Sequence, residues 1–312
     1  MIFQEYKNPR YWIWNGFNIA WNVVHEEGKI AILLLHGFGA SSAHWRNNIY
    51  FFAKNGYSVY TIDLLGFGKS DQPGIREVGR LDNGIWCDQV IDFISEVIRP
   101  INSKEIFIIG NSLGGLTALT CAAVIPNEIA GIIASPLPDP ISLKINKTNL
   151  NSRYGYLKLK LLKIIFYLIP LEIILFLINK LGIIDLGLKS AYKKKEKIDK
   201  DLLDMVRIPS SRRNAAKALR AMCFGMSTRS EKLKSSFLLD TINKIKKVEF
   251  LMIWGERDNF IPLFFGKRIA KFYPWVKLEV ISDSGHCVHD EDHDKFNQIS
   301  LEWIKNLNTF KK

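Results

Sequence analysis

IFIIGNSLGGLTAL, residues Ile106–Leu119, decides the fold. Ile106–Ile109 is an unbroken apolar run with the β-branched enrichment of a strand buried on both faces. Gly110-Asn111-Ser112-Leu113-Gly114 follows, and then a Leu- and Ala-rich run that reads as a helix. A serine at the apex of strand, sharp turn and helix is the context that gives Gly-x-Ser-x-Gly its chemical meaning. The flanking glycines carry no Cβ, so strand and helix can approach closely. Ser112 is then held strained with its hydroxyl exposed, and the first helical N–H groups point at whatever it attacks. In a plain loop the same pentapeptide would be a chance match. The strand before it and the helix after it make Ser112 the candidate nucleophile.

Working outward, short apolar strands alternate with helices. Trp12–Trp14 and Phe17–Val24 read as a hairpin of edge strands about Asn15-Gly16, a strong two-residue turn signal. Ile30–Leu35 reads as a central strand ending in His36-Gly37-Phe38-Gly39-Ala40-Ser41. Trp45–Lys54 reads as a helix, Ser58–Ile62 as a strand, Asp63–Pro73 as a Gly-rich loop and Gly84–Ile98 as a helix. After the elbow, Ile129–Ala134 is again a strand. The alternation breaks at Pro136 and resumes at Val248–Trp254. A helix over about Phe264–Phe272, a strand at Val276–Ile281 and a last helix from about His293 to Asn306 complete it. This pattern indicates an α/β class with a mostly parallel twisted sheet covered by helices on both faces. Residues 1–135 and 237–312 form the core in this reading, and 136–236 a helical cap inserted between two strands.

The formal net charge is +12. Pro136–Ser236 holds 21 Lys and Arg against 8 Asp and Glu, a net +13, while the rest, with 22 against 23, carries −1. The basic residues are interleaved with very apolar sequence and no nucleic-acid motif is present, so nucleic acid is not the expected partner. A cap face turned to an anionic membrane surface fits this pattern, and a solvated basic surface is the plain alternative. Leu157–Leu188 makes a poor membrane span. Pro170 and Glu172 interrupt it, and spanning needs about 20 mostly apolar residues. Amphipathic cap helices walling an apolar pocket are the plainer use of that stretch. The N-terminus shows no secretory h-region. Cys87, Cys121, Cys223 and Cys287 form no CxxC pair and read as reduced thiols, which points to the cytoplasm, with peripheral membrane contact as an option.

An elbow serine needs a base and a group that orients that base. In this fold the order is nucleophile, acid, histidine. Asp258 follows the strand Val248–Trp254 and precedes a Pro-stopped turn, so it is the candidate acid. It would accept the imidazole N–H and stabilise the imidazolium. Glu256 and Asp139 are the alternatives, and a turn-capping Asp258 paired with Arg257 is the structural one. His286, after Ser282-Asp283-Ser284-Gly285, is the candidate base; His289 and His293 lie nearby, but His293 reads as the start of the last helix. The oxyanion of acyl transfer needs donors already in place. Those candidates are the backbone N–H groups of Leu113 and Phe38, with the His36 side chain bracing its loop. No metal cluster is evident. Gly66–Gly68 lacks the P-loop pattern, and Gly110-x-x-x-Gly114-Gly115 has the wrong spacing for a dinucleotide fold, so no cofactor is expected.

HGFGAS, DLLGFGKSD, GNSLGG, WGERDNFIP and SGHCVHDE resemble the signature blocks of the α/β-hydrolase fold superfamily, over the whole chain outside the cap. WCDQVIDFISEVI and GHCVHDE resemble the pheophytinase and chlorophyll-dephytylase group, which implies hydrolysis of a phytyl ester. The elbow also resembles that of the carbon–carbon bond hydrolases of aromatic ring-cleavage products. Haloalkane dehalogenases and epoxide hydrolases share loops like HGFGAS but need a carboxylate where this chain has Ser112. The expectation is a serine hydrolase acting on a lipophilic carboxylic ester, such as a phytyl or other isoprenoid ester, through an acyl-enzyme. The rivals are a carbon–carbon hydrolase of vinylogous diketones, which needs a polar pocket for an acidic substrate, and a non-catalytic binder of an apolar ligand.

Overall fold

The computed structural model describes residues 8–101, 105–138, 169–245 and 248–309. β1 (Arg10–Trp14) and β2 (Phe17–Val24) form the hairpin, and its turn residues Asn15 and Gly16 both take positive φ, 49° and 80°. That left-handed pair matches the twist of the flanking strands. β3 (Ile30–Leu35), β4 (Ser58–Ile62), β5 (Glu105–Asn111), β6 (Ile129–Ser135), β7 (Glu249–Gly255) and β8 (Val276–Ile281) follow. One eight-stranded sheet results, in the order β1-β2-β4-β3-β5-β6-β7-β8. Only the β1–β2 and β2–β4 pairings are antiparallel. β1 alone of the hairpin lies at the edge of the sheet.

Helices cover both faces. They are α1 (Ile49–Lys54), α2 (Ile75–Val78), α3 (Asn83–Phe93), α4 (Leu113–Val124), α5 (Leu171–Lys180) and α6 (Ile183–Ala191). Further on come α7 (Lys200–Ser210), α8 (Ala215–Thr228), α9 (Ser235–Ile245), α10 (Leu263–Phe272), α11 (Val288–Glu291) and α12 (His293–Thr309). The all-apolar strands split between two cores, as side chains alternate across a sheet. Ile106 and Ile108 of β5 join a core with Trp86, Phe93 and Leu116, whereas Phe107 and Ile109 join one with Phe52, Phe296 and Ile304.

Several helical stretches differ from expectation. The helix read over Gly84–Ile98 ends as an α-helix at Phe93 and continues as a π turn over Ile94–Ile98, and the short α2 and α11 have no counterpart in the sequence reading. Trp45–Lys54 is not one helix but a single turn at Ser42–Trp45 followed by α1. Between them the buried Asn48 donates its side-chain amide to the His289 carbonyl, at 2.9 Å, and to Asn297 Oδ1, at 2.7 Å. Those bonds commit the chain to a corner there. Helix α9 had no counterpart in the sequence reading; it packs on α4 through Leu238, Leu239 and Ile242.

Between β6 and α9, the described part of the insertion is helical, α5 to α8. It is tied down over the loop after β4. Arg212 donates to the carbonyls of Gly68 (2.9 Å) and Ser70 (2.8 Å), and Leu81 N–H donates to the Ala221 carbonyl (3.1 Å). Parallel strands bring the loops after β3, β4, β5, β7 and β8 to one edge, where ligands bind in open α/β sheets.

Helix α4 can cross that edge because Gly110 and Gly114 lack a Cβ. One built at Gly114 would overlap the Leu35 carbonyl, and one at Gly110 the backbone of Gly114. Gly114→Ala is therefore expected to cost about 3 kcal/mol, the scale of overpacking a rigid contact. A fall in the urea midpoint at constant slope reads this; an unchanged midpoint would contradict the close approach.

Candidate active site

Ser112 sits between β5 and α4 with φ 50° and ψ −111°. For a residue with a Cβ this is strained, by about 1–3 kcal/mol. It is held from both sides. Ser112 N–H donates to the Ser135 carbonyl at the end of β6 (3.1 Å), and the Ser112 carbonyl accepts Leu116 N–H (3.0 Å). The neighbouring Asn111 side-chain amide donates to the Ser135 carbonyl (2.6 Å) and reaches the His286 carbonyl (3.5 Å). Leu113 is the first residue of α4, so its N–H lies outside the intrahelical ladder and faces the elbow end.

Asp258 and His286 meet from the loops after β7 and β8. His286 Nδ1 lies 2.9 Å from Asp258 Oδ2 and 3.1 Å from Oδ1. Asp258 Oδ1 also accepts the N–H groups of Phe260 and Ile261, each at 2.8 Å. A carboxylate so placed accepts only, so Nδ1 carries the proton and Nε2 keeps its lone pair. Both side chains are buried. Of the alternatives, Glu256 pairs instead with Arg257 at 3.8 Å and is half exposed, and Asp139 lies outside the described residues. His293 opens α12.

Ser112 and His286 line one cavity of about 320 Å³ together with Phe38. Among the described residues no hydrogen bond joins the Ser112 hydroxyl to His286. Such bonds are often long without substrate and tighten when it binds. Phe38 belongs to the loop after β3 and is 60% exposed although it lines the cavity, so it marks the mouth. An edge-on aromatic chain fixes this loop: Phe67 contacts both Phe38 (5.7 Å between centroids) and His36 (5.3 Å). His36 braces the loop as expected. Its Nε2 accepts Leu64 N–H (3.0 Å) and Nδ1 donates to the Gly37 carbonyl (2.8 Å), which makes it neutral, and burial lowers its pKa in the same direction. Asp63 joins the two loops by accepting Ser42 N–H (2.6 Å) and Lys69 N–H (2.7 Å).

Sequence reasoning missed a second layer built from the cap. His286 N–H donates to the Ala191 carbonyl at the end of α6 (2.7 Å). Glu291 accepts Gly285 N–H (2.7 Å) and the Lys194 N–H. Tyr192 donates to Asp290 (2.8 Å), which Arg46 grips through Nε (2.8 Å) and Nη2 (3.1 Å). His44 lies 2.8 Å from the Tyr192 hydroxyl. That hydroxyl directs its one proton to Asp290, so His44 Nε2 must donate. No sequence spacing relates Ala191 and Tyr192 to residues a hundred positions on; only the fold does.

Burial drives His44 down to about 4 despite the charge of Asp290, and pushes His289 well below the usual histidine range, with His44 adding to the effect. Burial alone would raise Asp290, but the hydrogen bond and charge of Arg46 outweigh it and hold the carboxyl at about 2. Between pH 6.5 and about 4 the unfolded chain binds a proton at His44 that the folded chain refuses. Stability therefore rises with pH across that window and is lost on acidification, by about 3 kcal/mol from this group. Below it, Asp290 adds a further loss as pH falls from 3.8 to about 2. Urea unfolding across the upper window should show this slope. His44→Gln, which keeps a donor for Tyr192 and does not titrate, should reduce it, with the buried His289 and His36 supplying what is left; an unchanged slope would remove His44 as a source.

Residues 30–293 match the family described as alpha/beta hydrolase fold. A 2-hydroxy-6-oxononadienedioate/2-hydroxy-6-oxononatrienedioate hydrolase of a Pseudomonas species is 26% identical over 281 residues, covering 89% of this chain and 88% of the relative. The chloroplastic pheophytinase of Arabidopsis thaliana is 27% identical over 318 residues, covering 89% of this chain and 61% of the relative. Among solved structures, a meta-cleavage product hydrolase from Pseudomonas fluorescens superposes with a TM-score of 0.69 at 20% identity, over 97% of this chain and 99% of that one. A thermophilic esterase from Thermogutta terrifontis gives 0.68 at 17% identity, over 93% and 94%. With the elbow and the sheet order on the same chain, this protein belongs to the α/β-hydrolase family.

Proposed function

We propose that this hydrolase cleaves a lipophilic carboxylic ester through an acyl-enzyme on Ser112. The observation that carries the reading is the polarity of the cavity. Its walls are aliphatic and aromatic, with Ile184, Leu188, Leu202, Met205, Val206 and Phe260 among them. No Lys or Arg is among the described residues that line it. Relatives named for a dioate act on a dicarboxylate by that name. A dicarboxylate brought into such walls would lose its hydration without a cation to replace it. A neutral ester loses far less and gains apolar contact.

In this reading the reaction is acyl transfer. His286 Nε2 takes the proton of the Ser112 hydroxyl as Oγ attacks the ester carbonyl. Asp258 holds the ring in the tautomer that leaves Nε2 free and stabilises the imidazolium. The carbonyl oxygen becomes an anion between the N–H groups of Leu113 and Phe38. The intermediate collapses, the C–O bond to the alcohol breaks, and the imidazolium protonates the leaving alkoxide. Water, deprotonated by the same histidine, then attacks the acyl-enzyme and releases the acid and Ser112. Asn111 and the Ala191 carbonyl are positioning groups: they fix the elbow and the base through the bonds to Ser135, His286 and the His286 N–H.

Two further readings are separated by measurement. The carbon–carbon hydrolase reading, favoured by the names of several relatives, expects turnover of a vinylogous diketone acid to exceed that of a phytyl or simple p-nitrophenyl ester. The ester reading expects the reverse. A non-catalytic ligand binder would not be labelled at Ser112 by a fluorophosphonate. Ser112→Ala and His286→Ala should each lower ester turnover by about 10⁴-fold or more, and the double variant little further, because the two act as one unit. Unchanged turnover by Ser112→Ala would refute the assignment.

A further inference from the structure

Helix α6, which walls the cavity, and α5, which packs on α6, are apolar on their outer side. In α6, Ile184, Gly187, Leu188 and Ala191 line the cavity at helical spacing. On its other side Ile183 and Leu186 are 43% and 68% exposed. In α5, Leu171 is buried while Ile173, Phe176 and Leu177, at i, i+3 and i+4, are 59%, 61% and 41% exposed. Leu181, between the two helices, is 66% exposed. A helix facing water carries polar residues on its outer stripe. A contiguous apolar patch in that place marks an interaction surface.

Charge identifies the partner. Lys180, Lys189, Lys193, Lys195 and Lys197 are exposed on and beside these helices. They belong to the segment Pro136–Ser236, whose net charge is +13 while the rest of the chain carries −1. The Lys180 ammonium sits 5.6 Å from the Phe176 ring centroid, so its stem runs along the apolar face with its charge at the rim. A second copy of the chain would set these lysines against the same lysines across the contact. An anionic bilayer satisfies both features: apolar side chains enter the boundary between headgroups and acyl chains, and lysines meet lipid phosphates. No helix among the described residues is long and apolar enough to cross a membrane.

We propose that Ile173, Phe176, Leu177, Leu181, Ile183 and Leu186 form a docking face for an anionic lipid bilayer, with the surrounding lysines at the headgroups. Docking lays α6, one wall of the cavity, against the lipid. The binding does not depend on the chemistry assigned to Ser112.

Sedimentation of the full-length protein with phosphatidylcholine vesicles, with and without phosphatidylglycerol, tests this. Binding should be about tenfold stronger to the anionic vesicles, and raised salt should remove that difference. Phe176→Glu with Leu186→Glu should lose about tenfold or more in binding while turnover of a soluble p-nitrophenyl ester stays unchanged, which also shows that the variant is folded. Ser112→Ala should bind vesicles like the parent, so failure of the ester reading and failure of docking are separable. Equal binding to both vesicles, no binding, or full binding by the double variant would overturn the proposal. So would a lipid-independent dimer dispersed by the same substitutions, which would assign the face to a second copy.

Discussion

The contact of Gly114 with the Leu35 carbonyl is the constraint on which the remaining geometry depends. It lets α4 begin directly above the sheet edge. The chain must then turn from strand to helix within one residue, and Ser112 takes up the strain at φ 50°. That strain, about 1–3 kcal/mol, persists only where neighbours over-determine it. Here β6 does so from one side, through the Ser135 carbonyl, and α4 from the other, through Leu116 N–H. Asn111 spreads the same restraint toward the His286 loop. Ser112, the end of β6 and the His286 loop are thus located by one turn.

The base is restrained a second time, by the insertion. Its backbone N–H is held by Ala191, and its loop shares Glu291 with Lys194. Beside it, the buried chain His44, Tyr192, Asp290 and Arg46 crosses from cap to core. Arg46 also reaches Asp199 at the start of α7 (2.6 Å). The cap is therefore not a lid resting on a finished site. At its Ala191 end it is part of the framework that orients the imidazole, and displacing that end would disturb the base as well as the pocket.

Much of this was legible because it is local. β3, β4 and β8 are strands over the spans that the apolar runs suggested, and the turn at Asn15-Gly16 adopts the conformation that its residues favour. The elbow could be read because its geometry needs glycine at two fixed positions. Asp258 and His286 could be named because each follows a strand whose end must lie at the same edge. What escaped reading depends on contacts distant in sequence. The corner at Asn48 forms because α12 and the His289 carbonyl stand opposite it. The pairing of Ala191 with His286, and of Tyr192 with Asp290, needs the return of the insertion over the sheet. Neither polar tyrosine nor backbone carbonyl carries a spacing that announces such a partner.

The two-sidedness of α6 links the chemistry to the environment in which it must operate. Each methylene drawn into water costs about 0.8 kcal/mol, so a long-chain ester stays in a bilayer unless an apolar route begins there. On its inner side α6 supplies Ile184 and Leu188 to the cavity; on its outer side it exposes Ile183 and Leu186. Phe38 and Phe260 stand half exposed at the cavity itself, and the Asn259 amide reaches the Ser190 carbonyl at the end of α6 (3.3 Å). The mouth, the roofing helix and the charged rim therefore adjoin one another. The excess charge resides on the insertion and not on the sheet, where it would act on the triad. With both proposals taken together, the sheet supplies the reaction, and the insertion is the part of the chain assigned to the substrate and to the surface from which it is taken.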